Sequence, residues 1–155
     1  MSKEFSFADL NREMSKISEY GDTLDKSTIS EIDHYIPTGN YHLNACLTGS
    51  LFGGYPNNRA VALAGPSGTG KTYLILNAIK QAQKQGYSIV FYDSENAVDK
   101  HLVEKFGIDP KTFRYEPCNT VQEFRSSVTA ITDVLIEQKK KGIKLPKIMV
   151  VLDSA

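Results

Sequence analysis

The sequence has no apolar run of membrane-spanning length, no basic-then-apolar leader after its Met-Ser-Lys-Glu start, no internal repeat and no low-complexity tract. Neither membrane insertion nor export has support in the residues, and a cytoplasmic protein is the expectation. Charge of one sign is also missing. Lys plus Arg and Asp plus Glu number 18 each, which removes the bulk basic signal of a nucleic-acid-binding surface and leaves any such contact to be local. Cysteine is scarce: Cys46 and Cys118 stand far apart with neither C-x-x-C nor metal-ligand spacing, so two thiols in a reducing compartment are expected. What is present describes one ordinary globular domain of 155 residues, 41% hydrophobic and 23% charged, with enough apolar material for a core.

Against that background one stretch organises the rest. Gly65-Pro66-Ser67-Gly68-Thr69-Gly70-Lys71-Thr72 matches the phosphate-binding pattern G-x-x-x-x-G-K-[ST] at every specified position. The short apolar run Arg59–Ala64 precedes it at strand length, and Tyr73–Ile79 opens a helical pattern, which supplies the strand-turn-helix context the pattern needs. Glycines let backbone N–H groups close around phosphate oxygens, and the following helix adds its positive N-terminal end. Lys71 would reach the β- and γ-phosphates as a point charge, while Thr72 would offer its hydroxyl to Mg²⁺. A nucleoside triphosphate site is expected.

The chain in order alternates helices and strands. Phe7, Leu10, Met14 and Ile17 fall at helical spacing between Ser6 and Tyr20, an amphipathic helix with Ser6 as cap and Gly21 as stop. Its stripe reads equally as core or as a surface that docks on a neighbouring chain. A weakly patterned stretch follows to about Ser30, and Ile29–Ile36 reads as a connector or short strand. The segments expected are therefore 1–36, an N-terminal helix and connector, and 37–155, the domain proper after Pro37-Thr38-Gly39. A short helix and a turn at Pro56-Asn57-Asn58 lead to a first strand at Arg59–Ala64. The helix after the phosphate loop runs to about Lys84, with Gly86 as its stop. Ser88–Asp93 is a second strand, Val98–Phe106 a helix closed by Gly107, Thr112–Glu116 a third strand, Val121 to about Lys140 a long helix, and Lys147–Asp153 a strand buried on both faces. Lys139-Lys140-Lys141 at a helix C-terminus reads as dipole compensation rather than a nucleic-acid patch. The alternation predicts an α/β fold with a mainly parallel sheet.

In such sheets ligands bind outside the C-terminal ends of the strands, which gathers three sequence-distant groups: the phosphate loop, Asp93-Ser94-Glu95 and Asp153-Ser154. Asp153, closing an apolar strand, has the form of a Walker B acid that would hold Mg²⁺ with Thr72. Glu95 is the candidate general base for the water attacking the γ-phosphate. Its competing role is an acid at a helix N-terminus, which Asp93 and Asp99 could also fill.

Taken together, Ile36-Pro37-Thr38-Gly39, Leu51-Phe52-Gly53-Gly54, Ala64 to Thr72, Phe91-Tyr92-Asp93-Ser94-Glu95 and Val150-Val151-Leu152-Asp153-Ser154 resemble the RecA-type recombinases, most closely the phage UvsX branch. The Gly107-Ile108-Asp109-Pro110 turn falls where that family has one. The resemblance runs from about Ile36 to the end. It implies a RecA-like P-loop NTPase core: an ATP-dependent strand-exchange protein of recombination and repair that polymerises on single-stranded DNA and holds ATP between protomers. It assigns Glu95 as catalytic glutamate, Lys71 and Thr72 as phosphate and magnesium ligands, Asp153 as Walker B acid and Asp99 as the acid near the adenine. The N-terminal helix takes the place of the segment that packs on the next protomer.

Two departures qualify the resemblance. Leu102 stands where bacterial members carry an adenine-stacking tyrosine, and the family's switch glutamine and DNA-binding loops, which follow Walker B, have no counterpart before Ala155. The expectation is an N-terminal portion of a recombinase core: a split product, an incomplete reading frame, or a half interrupted by an intervening element. A replicative helicase of the same fold and a nucleotide-binding fragment without turnover are the competing expectations, and a phage-infected host's cytoplasm is the implied location.

Overall fold

A computed structural model describes residues 5–18, 21–26 and 31–153. The chain divides into two compact units, Met1–Asp33 and His34–Ala155.

In the first unit, α1 spans Phe7–Ile17. Ser6 starts it through a capping box: its hydroxyl accepts from the Asp9 N–H, and the Asp9 carboxylate accepts from the Ser6 N–H. Those bonds from Ser6 hold the Asp9 carboxyl below its usual range. The helix ends at Ile17 with Ser18 as its C-cap, short of the expected Gly21; Glu19 and Tyr20 lie outside the described residues, as do the 27–30 part of the connector and Ser154. Phe7, Leu10, Met14 and Ile17 are all exposed, and α1 buries none of its residues.

The second unit is a helix–sheet–helix sandwich. Three parallel strands, β3 (Tyr87–Asp93), β4 (Phe113–Pro117) and β5 (Lys147–Asp153), lie in the order β4-β3-β5. Registers Phe91↔Tyr115 and Phe91↔Val151 set all three C-terminal ends along one edge. Alternation along β3 feeds both layers. Ile89 and Phe91 pack with Leu76, Ile79 and Ala82 of α3 (Lys71–Lys84) and with Val103 of α4 (Lys100–Lys105), whereas Val90 and Tyr92 meet Phe124, Val128 and Ile131 of α5 (Val121–Lys140). Burial on both faces explains the near-continuous apolar strand. Truncating fully buried Phe91 to alanine would cost about 3–5 kcal/mol. A second, two-stranded antiparallel pair joins β1 (Tyr35–Ile36) to β2 (Tyr55–Pro56), with α2 (Tyr41–Thr48) between them.

Three expectations are corrected. β5, expected to be buried on both faces, buries only Val151 and Asp153 and leaves Val150 and Leu152 44% and 40% exposed, because among the described residues it is paired with β3 alone. Residues 60–66, which include most of the predicted first strand Arg59–Ala64, carry no regular secondary structure, because no described strand forms a ladder with them. The helix expected over Val98–Phe106 is shorter. Asp99 holds an extended backbone at φ −118° and ψ 169° and its carboxylate caps α4 by accepting from the Leu102 N–H at 2.7 Å, so the helix starts only after it, while the Val98 N–H ahead of it donates to Asp93.

Candidate functional site

Three chain reversals build the site at the C-terminal edge of the sheet. The first is the phosphate loop. Gly70, at φ 88°, is the N-cap of α3, a conformation that costs an ordinary residue about 1–2 kcal/mol. No side chain caps α3 and no acid lies in its first turn, which leaves the first-turn N–H groups, at the positive end of a 14-residue helix, without a side-chain acceptor. A Cβ placed on Gly68 or Gly70 meets nothing within 4 Å, so open space lies over the loop. The Lys71 ammonium folds across it, donating to the carbonyl oxygens of Gly65 at 2.8 Å and Pro66 at 3.0 Å, and Thr69 Oγ1 donates to the same Pro66 oxygen at 2.8 Å. Ser67 and the rest of residues 65–70 are exposed.

The second reversal is the end of β5. Thr72 Oγ1 donates to Asp153 Oδ2 at 2.8 Å, and the Asp153 carbonyl accepts from the Ser94 N–H at 3.2 Å. Asp153 is buried and Thr72 half-buried. Two hard oxygen groups at the foot of a phosphate loop suit Mg²⁺, which takes one or two protein oxygens beside water and phosphate. Among the described residues no cluster of three or more His, Cys, Asp or Glu is arranged for a metal, so this pair is the donor set on offer.

The third is the loop after β3, organised by Asp93. Its buried carboxylate accepts from the Glu95 N–H at 3.0 Å, the Val98 N–H at 3.1 Å and the Tyr115 hydroxyl at 3.2 Å. Tyr115 also reaches Asn96 Oδ1 at 3.4 Å, and Asn96 sits at φ 54°. Desolvation first, then the charge and hydrogen bond of Asp93, push the Tyr115 phenol up from its ordinary value. Glu95 is thus fixed by its backbone, while its exposed carboxylate makes no hydrogen bond or ion pair among the described residues.

The structure therefore brings Lys71, Thr72, Asp153 and the Asp93–Glu95 turn to one edge. Asp99 stands apart: it caps α4 and has no hydrogen bond to residues 65–72. Along with Val98, Val103 and Phe113, it lines a hollow of about 340 Å³. Sequence reasoning missed the part played by Asp93 and Tyr115. An Asp two residues ahead of a turn is the signature of a side chain bonding its own downstream backbone, which could have flagged Asp93; alternation along β4 carries no signal for Tyr115.

Residues 6–143 match the RecA N-terminal domain family. The chain belongs to that family. The match takes in the phosphate loop and Glu95; Asp153 lies beyond it. Among curated relatives, the RecA protein of Bacteroides thetaiotaomicron is 43% identical over 74 residues, covering 48% of this chain and 22% of that protein. The RecA protein of Mesoplasma florum is 40% identical over 80 residues, 51% of this chain and 23% of the relative, and that of Acholeplasma laidlawii 38% over 93 residues, 60% and 26%. The chain spans about a quarter of the length of the relatives it matches.

Two of the RecA-like motifs prove to be framework. Thr38 donates from its N–H and its hydroxyl to Asn44 Oδ1 at 2.9 and 2.7 Å, and Asn44 Nδ2 donates to the Leu51 carbonyl at 2.9 Å, a buried polar knot tying the Pro37-Thr38-Gly39 turn to α2. Gly53 and Gly54 are there for close approach: a Cβ on Gly53 would stand 1.8 Å from Thr48 Oγ1, and on Gly54 2.1 Å from the Ile36 carbonyl oxygen.

Proposed function

We propose that this RecA-family chain is the ATP-binding portion of a single-stranded-DNA-dependent ATPase of homologous recombination and repair, of the phage UvsX branch. The observation carrying the proposal is the 2.8 Å contact of Thr72 with Asp153 beneath a phosphate loop whose helix has no side-chain cap, with the Glu95 carboxylate, which has no hydrogen bond or ion pair among the described residues, on the same edge.

Gly65 and Ser67 to Gly70 bind the phosphates through backbone N–H groups, Pro66, which has none, shapes the loop between them, and Lys71 exchanges its two carbonyl bonds for the β- and γ-phosphate oxygens. Thr72 and Asp153 are the residues that would hold Mg²⁺, which when bound offsets phosphate charge. Glu95 takes a proton from the attacking water. Asp93 fixes the Glu95 backbone, so the base swings only through its own side-chain torsions. Asp99 lies toward the base of the nucleotide, where Leu102 offers apolar contact in place of an aromatic stack. Single-stranded DNA and a filament of protomers are the partners of the whole protein, with α1 presenting Phe7, Leu10, Met14 and Ile17 to a neighbour in the 1–36 segment, ahead of a 37–155 ATPase core. The host cytoplasm is where such a protein acts; among the described residues no helix is long and apolar enough to cross a membrane.

The test is ATP hydrolysis by the full chain with and without single-stranded DNA. Turnover that Glu95→Gln lowers by about 100-fold or more supports the proposal; turnover unchanged by Glu95→Gln sinks it.

A further inference from the structure

Glu95 sits on a turn, and a turn holds a side chain less firmly than a strand does. Its carboxylate makes no hydrogen bond or ion pair among the described residues, so any firmness comes from its flanks. One side chain on the neighbouring strand grips both. Tyr115 Oη donates to Asp93 Oδ2 at 3.2 Å, two residues ahead of Glu95, and reaches Asn96 Oδ1 at 3.4 Å, one residue after it. In the register of β3 with β4, Phe91 pairs with Tyr115 and Asp93 with Pro117, which makes Tyr115 and Asp93 diagonal neighbours on one face of the sheet. The anchor therefore stands on β4, outside the turn it steadies.

The two contacts act differently. An aspartate's terminal torsion is broad and roughly two-fold, so its two oxygens are told apart only by their donors. Asp93 Oδ1 accepts from the Glu95 N–H at 3.0 Å, whereas Oδ2 accepts from the Val98 N–H at 3.1 Å and from Tyr115. Turning the carboxylate would break all three bonds together, and Tyr115 supplies the one that comes from outside the turn. Asn96, at φ 54°, shares a left-handed backbone with Asn58 alone among the described non-glycine residues. Such a conformation is strained and persists where its surroundings hold it, and the Tyr115 hydroxyl holds this side chain. We propose that Tyr115 is a positioning residue for Glu95, acting through Asp93 and Asn96 to aim the carboxylate at the water that attacks the γ-phosphate. The inference rests on the reading of Glu95 as the base. Tyr115 makes no hydrogen bond to residues 65–72 or to Asp153, so its loss should slow the chemical step and leave nucleotide affinity alone.

The experiment compares two variants of the full chain, each made also in the Glu95→Gln background. Tyr115→Phe keeps the ring and removes only the hydroxyl. Tyr92→Phe removes a hydroxyl bonded to Ser127 at 2.7 Å, in the core on the other face of the sheet, and serves as the structural control. Tyr115→Phe should lower kcat about tenfold or more with KM within about twofold, and should speed hydrogen exchange at the Glu95 and Val98 amides about tenfold. Tyr92→Phe should do neither. In the Glu95→Gln background, Tyr115→Phe should change kcat by less than about twofold, because a residue that acts through Glu95 has nothing left to position. Three results would overturn the inference: the Glu95 and Val98 amides of Tyr115→Phe exchange at the parental rate, Tyr92→Phe lowers kcat as much as Tyr115→Phe, or Tyr115→Phe lowers kcat equally with and without Glu95. Turnover that falls in Glu95→Gln but not in Tyr115→Phe overturns this inference alone. Turnover unchanged by Glu95→Gln removes the base and overturns both readings.

Discussion

Thr72 Oγ1 donates to Asp153 Oδ2 across 2.8 Å of space and 81 positions of sequence. The contact exists because the phosphate loop delivers the first turn of α3 to the C-terminal edge of the sheet, where β5 ends. Thr72 is the second residue of α3 and Asp153 the last of β5, so neither can move without disturbing its element.

If the pair holds magnesium, Thr72→Val and Asp153→Asn should leave metal-free ATP binding nearly as it was and remove most of the gain in affinity that Mg²⁺ brings. Titrating ATP into each variant with and without Mg²⁺ reads the difference directly. Equal Mg²⁺ gains in variants and parent would remove the pair from the metal site.

Asp93 gives a prediction of a different kind. Its carboxylate accepts three hydrogen bonds while 1% exposed, and an amide in its place must point an NH₂ at one of those donors. Asp93→Asn should lose about 1–3 kcal/mol of stability by urea denaturation. It should also speed hydrogen exchange at Glu95 and Val98. If Glu95 is the base, turnover should fall with little change in KM, since Asp93 fixes the Glu95 backbone and its carboxylate makes no bond to residues 65–72.

The raised Tyr115 phenol fixes the sign of an alkaline effect. A folded-state pKa above the unfolded value means that the contribution is fully present below the ordinary value of about 10 and is lost as pH rises through the folded one. Melting temperature should therefore decline more steeply above that pH in the parent than in Tyr115→Phe. Tyr55, raised by burial, remains in both proteins and does not affect the comparison. Parallel alkaline declines would show that Tyr115 does not face Asp93 in solution.

Gly54 and Gly49 separate close approach from backbone conformation. At Gly54, φ 151°, a Cβ meets the Ile36 carbonyl oxygen at 2.1 Å, whereas at Gly49, φ 72°, it meets nothing within 4 Å. Gly54→Ala should cost about 3 kcal/mol or more and Gly49→Ala about 1 kcal/mol, compared by urea denaturation.

The sequence alone made the long elements legible. α3 to Lys84, α5 from Val121 and β5 over Lys147–Asp153 stand where periodicity and the glycine stops place them, and β3 begins one residue earlier than expected, at Tyr87. The α/β class with a parallel sheet follows from those elements. What failed depended on partners. Arg59–Ala64 contains three alanines and a single β-branched residue, Val61, and a strand is a pairing more than a propensity. The start of α4 turned on Asp99 taking the extended backbone of an N-cap, with Val98 ahead of it donating to Asp93. In the same way, the rule for strand ends pointed to the edge where Thr72, Asp153 and Glu95 gather, but the hub beneath Glu95 became visible only once Tyr115 of β4 and Asp93 of β3 were neighbours.

The central claim is that the Gly65–Thr72 loop binds a nucleoside triphosphate. Calorimetric titration of Mg²⁺-ATP into the full chain and into Lys71→Ala tests it most directly. The account predicts saturable binding at one site per chain, weakened about tenfold or more in Lys71→Ala because that ammonium's charge-assisted bonds to phosphate are lost. Absence of saturable binding to the parent, or equal affinity in the variant, would contradict it.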